Sequence, residues 1–218
     1  FVYVPHGGSP VLVTWSHSSR SQPDRTRRED RHLKFYELRD NLTWSEAHSI
    51  AERQAALLLD LLHVSEPPVP QFVISSLPGI VVDWREDWPT SGMAVQARSH
   101  WRIVLKKSES RQRQRFSLAH EFKHVLDDPV IEHTHAHLKP HRRAARAERL
   151  CNYFAACLLM PRPWIKHDYC GGMQRTATLA RRYYVSEEAM STRLSELGLT
   201  PMTLAIEATS SRHRGAYA

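Results

Sequence analysis

Two histidines four residues apart, with a glutamate directly after the first, lie inside a helical pattern at His120-Glu121-Phe122-Lys123-His124. Phe116, Ala119, Phe122 and Leu126 recur at helical spacing and set an apolar stripe beside the polar triplet. Residues i and i+4 share one helical face, so both imidazoles can reach a single ion. Zinc accepts neutral imidazole nitrogens at ~2.0–2.1 Å, and a catalytic site keeps one position for water. Glu121 falls beside that position, where a carboxylate suffices as general base toward a metal-acidified water. A fold that uses this motif must bury one face of the helix while leaving the other open to a substrate.

A third donor is needed. The extended pattern, with glycine and histidine three and six residues after the second histidine, fails because Asp127 and Val130 stand there. A carboxylate from a second helix is the alternative, and Glu148 is the candidate, on a long helix running from about His141 to Leu159. It is either the third ligand or an ion-pair partner for Arg142, Arg143 or Arg149. Asn152, at i+4 from Glu148, can accept the second ring N–H of a ligating histidine and fix its tautomer. His133, His135 and His137 form a rival cluster, read as a solvated loop. Asp127 and Asp128 end the motif helix, where negative charge is unhelpful to the helix dipole.

The rest of the chain supplies an α+β layout. Trp44–Val64 carries apolar residues at helical spacing, with Thr43 or Ser45 as N-cap and prolines from Pro67 onward as the stop. A short helix is expected over Gln71–Leu77. Strands are expected at Ile80–Trp84, Gly92–Gln96 and Trp101–Leu105, forming a small mixed sheet packed on helices. Two shorter helices follow near Gln174–Tyr183 and Ser186–Leu197, and Met202–Glu207 reads as a closing strand. Residues 1–40 read as an extension, a hairpin plus an Arg-rich linker. The expected division is 1–40, then 41–170 as the main domain, then 171–218 as a C-terminal helical region.

Composition bounds the function. At 218 residues the chain can bury one core and a small satellite. No apolar run reaches the ~18 residues of a membrane span, so no membrane partner is expected. Three cysteines, an odd count with no C-x-x-C pair, argue against a disulfide framework and for a cytoplasmic setting. The net charge of +7 is concentrated in arginine clusters such as Arg142, Arg143, Arg146 and Arg149. Such a surface is either a solvated basic face or one that meets acidic partners or nucleic acid.

The segments Arg115–His124 and Glu148–Pro161 together resemble the ImmA/IrrE family of metallopeptidases, the second block being the more distinctive. Val185–Met190 and Arg193–Leu199 also fit its downstream helices, and the resemblance runs from about Ser45 to Leu199. It implies a zincin-like domain in which His120, His124 and Glu148 hold Zn2+ and Glu121 is the catalytic base. It also implies a substrate, a helix-turn-helix repressor of the XRE type, whose cleavage relieves repression of stress or mobile-element genes. Lys123 stands where such proteins often have glycine, and its long side chain is expected to swing to solvent. Cys151 replaces the usual alanine. The chain ends too soon for the sensor domain of the larger relatives.

Thr176–Leu197 has a helix-turn-helix outline, but the second helix opens with Glu187 and Glu188, which phosphates would repel. A packing or protein-binding role is expected there, with at most weak or indirect DNA contact. The competing reading of the whole chain is a non-enzymatic, zinc-stabilised regulator that binds DNA or a partner through its basic surface.

Overall fold

The computed structural model of the protein describes residues 41–128 and 135–199. Helix α1 spans Trp44–Leu61 and α2 spans Phe72–Ser75. Strands β1 (Ile80–Arg85), β2 (Gly92–Gln96) and β3 (Trp101–Lys106) follow. Helix α3 is Arg111–Asp127 and α4 is Pro140–Leu159. Three shorter helices close the described chain: α5 (Arg162–Cys170), α6 (Thr176–Tyr183) and α7 (Glu187–Glu196). The expected extension over residues 1–40, the strand at Met202–Glu207 and His133 lie outside the described residues.

The α+β reading holds. The sheet order is β1-β3-β2, with β1 parallel to β3 and β2 antiparallel to it. Central β3 buries Trp101, Ile103 and Leu105, alternate residues that share one face of the strand. That face meets the helices. Among the described residues, strand β2 pairs on one side only, with Gly92 opposite Leu105.

Thr43 starts α1 with a capping box: its hydroxyl accepts from the Glu46 N–H, and the Glu46 carboxylate accepts from the Thr43 N–H. The buried face of α1 is mostly alanine (Ala47, Ala51, Ala55), which lets the helix lie close against α4. It stops three residues before the expected end. His63 takes a left-handed φ of 53°, and the Val64 N–H returns to the Leu59 carbonyl, so the turn precedes the prolines. Helix α5 was not expected. Pro161 and Pro163 read as breakers, yet they fall at the N-cap and first turn, where proline is tolerated.

One contiguous apolar cluster runs from Ala47 through Phe122 and Phe154 to Leu194. Buried Arg115 adds polar ties. Its guanidinium donates to the carbonyls of Val69 (2.6 Å), Tyr183 (3.3 Å) and Tyr184, joining α3 to the loop before α2 and to the α6–α7 turn. Asp168 of α5 accepts from Arg182 (2.6 Å) and from the Tyr183 hydroxyl (2.8 Å).

Burial opposes ionisation of Asp168, but the bonds from Arg182 and Tyr183 outweigh it and hold its carboxyl below the ordinary range. A carboxylate with a lowered folded pKa adds stability above the unfolded value of about 3.9, and that stability is lost as pH falls through the folded value. Asp168→Asn is therefore expected to cost about 1–3 kcal/mol at neutral pH and to flatten the acid limb of a stability–pH curve. An equal loss in acid and at neutral pH would contradict this.

Candidate metal centre

Helices α3 and α4 pack face to face, with the Phe122 and Phe154 rings 6.3 Å apart beneath the site. Ser110 caps α3 by accepting from the Arg113 N–H, which starts the helix in the register that carries the motif. Leu118, Ala119, Phe122 and Val125 are buried, so His120, Glu121 and His124 emerge on the remaining, half-buried face. Opposite them, Glu148 and Asn152 stand one turn apart on α4.

The His120 and His124 Nε2 atoms lie 3.2 Å from each other. Each also faces one oxygen of Glu148, at 3.2 Å from His120 and 3.3 Å from His124. Donors ~2.0–2.2 Å from one tetrahedral ion must sit about 3.3–3.5 Å apart, so these three separations fit such an ion closely. His120 Nδ1 is 2.9 Å from the Asn152 Oδ1 atom, which leaves Nε2 free to face the Glu148 carboxylate. The structure thus brings His120, His124, Glu148 and Asn152 together.

A second grouping overlaps the first: His120, His124 and the buried Cys151 thiol, with donors all within 4.8 Å of one another. The Glu148 set, at 3.2–3.3 Å, reaches into solvent, whereas Cys151 is sealed. It is the stronger candidate for an open site. His135 and His137, by contrast, are apart from this group, and His137 bonds to the Asn41 side chain at 2.9 Å.

Glu121 leans against the sheet rather than toward α4. Burial raises its carboxyl pKa above the ordinary value, the charge of Glu148 adds to that, and His120 and a bond from the Ala94 N–H oppose it. Gly92 makes room for this pose: a Cβ there would stand 2.8 Å from Glu121 Cγ and 3.0 Å from its Oε1. The sequence offered no sign of Gly92 beyond a glycine at a strand start. A cavity of about 500 Å3 between α1, α3, α4 and α7 reaches Asn152, but the four residues nearest the would-be ion do not line it.

Lys123 corrects an expectation. It is buried, 1% exposed, and does not swing to solvent. Its ammonium donates to Gln54 of α1 at 2.8 Å and pairs with Asp127 one turn later, above the Phe154 ring. This also accounts for Asp127 at an unhelpful helix end: its charge is answered by Lys123.

A family model, described as the IrrE N-terminal-like domain, matches residues 82–195, just over half of the chain. The chain belongs to that family. The matched span of this IrrE-like peptidase domain includes His120, Glu121, His124, Glu148 and Asn152. The radiation response metalloprotease IrrE of Deinococcus radiodurans is 35% identical over 111 residues, 48% of this chain and 34% of that protein. Its counterpart from Deinococcus deserti is 37% identical over 115 residues, 50% of this chain and 41% of that protein. The IrrE-like chain therefore spans well under half the length of these relatives. A Mycobacterium tuberculosis transcriptional regulator superimposes with a TM-score of 0.53 at 17% identity, covering 66% of this chain and 46% of its own, a likeness of fold alone.

Because Lys123 and Asp127 are both sheltered, removing one charge strands the other. Lys123→Ala is expected to cost about 3–5 kcal/mol in denaturant unfolding, and Lys123→Met with Asp127→Leu to recover most of that loss. A single-variant cost near zero would show that the pair is solvated.

Proposed function

We propose that this IrrE-like chain is a zinc-dependent endopeptidase whose substrate is a helix-turn-helix repressor of the XRE type. The observation that carries the reading is the convergence of two imidazole nitrogens and a carboxylate at 3.2–3.3 Å from one another. His120, His124 and Glu148 would hold the zinc, which when bound supplies Lewis acidity and lowers the pKa of water toward ~7. Asn152 orients the His120 ring by accepting from its Nδ1–H. Glu121, its affinity for protons raised by burial, accepts a proton from the attacking water and passes it to the leaving amide nitrogen. Strand β2 leaves one edge unpaired among the described residues, beside Glu121, and an extended peptide can add there through main-chain bonds.

The repressor as substrate draws on the family resemblance and on a basic surface suited to meeting a DNA-bound protein. The α6–α7 pair supports a packing role over a base-reading one. Met190, Arg193 and Leu194 of α7 are buried, and Arg193 donates to the Met160 carbonyl at 3.1 Å. Glu187 and Glu188 occupy the first turn, as the helix dipole favours. The working place is the cytoplasm, in keeping with three free cysteines. No helix among the described residues is long and apolar enough to cross a membrane.

The test is incubation with an XRE-type repressor as candidate substrate, with and without chelator. Glu121→Gln is expected to slow cleavage by about 10²–10⁴-fold while retaining metal, whereas Glu148→Ala is expected to lose metal. Unchanged cleavage by the glutamine variant would remove Glu121 from its role. Gly92→Ala should lower the cleavage rate while stability changes little, since the added methyl collides with the Glu121 side chain; wild-type activity in that variant would show that the pose is not used.

A further inference from the structure

Cys151 is a sealed thiol of α4: it is 1% exposed, buried with its neighbours Leu150, Phe154 and Ala155, and forms no disulfide. Its Sγ stands with a ring nitrogen of His120 and one of His124, all three within 4.8 Å of one another. Glu148 lies three residues earlier on the same helix, so thiol and carboxylate share the face that α4 turns toward α3. Two donor side chains of α3 thus face two of α4, Glu148 and Cys151.

We propose that Cys151 is an auxiliary metal ligand that biases the site toward thiophilic divalent ions. The proposal rests on the reading of His120, His124 and Glu148 as metal ligands. Metal–sulfur and metal–nitrogen bonds of ~2.3 and ~2.0 Å place the two donors about 3.5 Å apart, so separations within 4.8 Å require the thiol to approach by little over an ångström at most. On binding, the S–H bond is exchanged for a sulfur–metal bond and the proton leaves to solvent. Thiolate is a soft donor and favours zinc, cadmium and cobalt over manganese or magnesium, which prefer oxygen. It also occupies a position that water would otherwise take. The thiol and a peptide substrate therefore compete for the ion.

The experiment is a cobalt(II) titration of the metal-free full-length chain, read by absorption. Wild type is expected to show visible ligand-field bands together with a near-ultraviolet thiolate-to-cobalt charge-transfer band. Cys151→Ala and Cys151→Ser should keep the visible bands and lose the near-ultraviolet one, while Cys157→Ala and Cys170→Ser keep both. The preference for cadmium over manganese should fall by about tenfold or more in Cys151→Ala. Visible bands without the near-ultraviolet one in wild type would overturn the role of Cys151 and leave the two histidines and Glu148 as the site. Cobalt binding that is absent, or unaffected by His120→Ala, would overturn both. Circular dichroism of each variant separates loss of a ligand from loss of the fold.

Discussion

The contact between α3 and α4 is the constraint on which the rest depends. A histidine pair at i and i+4 makes a metal site only if a second element brings a carboxylate to it within an ångström-scale tolerance. Here that element is held by buried apolar packing, with Phe122 of α3 against Phe154 of α4 in one cluster with Leu118, Ala119, Leu150 and Ala155. The hydrophobic core thus sets the geometry of the chemistry. Lys123 belongs to this contact too, because its bonds to Gln54 and Asp127 lock α3 to α1 from within the core.

Polarity in the centre is arranged so that each group leans on a different neighbour. Asn152 orients His120 from α4, whereas Glu121 is turned toward β2 through the space left at Gly92. Glu121 and His120 are therefore supported by separate layers of the fold, sheet for the one and helix for the other. Among the described residues the outer edge of β2, beside Glu121, is unpaired.

Much of this was legible in the sequence because it rests on short-range rules. Helical spacing placed His120 and His124 together, the i+4 rule placed Asn152 over Glu148, and Thr43, one of two N-cap candidates, marks the start of α1. What escaped depends on tertiary context. No local rule shows that Lys123 is buried, since its partner Gln54 is sixty-nine residues away in the chain. The proximity of Glu148 to both imidazoles, 3.2 and 3.3 Å, shows only when α3 is seen opposite it. Gly92 matters through what a side chain would strike there, and α5 was hidden by prolines that sit where a helix can begin.

The position of a bound ion decides whether His120, His124 and Glu148 act together. Anomalous diffraction at the zinc absorption edge, from crystals of the zinc-loaded protein, locates it directly. One peak bonded to His120 Nε2, His124 Nε2 and a Glu148 oxygen is the predicted result. A peak on the histidines of the loop before α4, or none near α3, would contradict it.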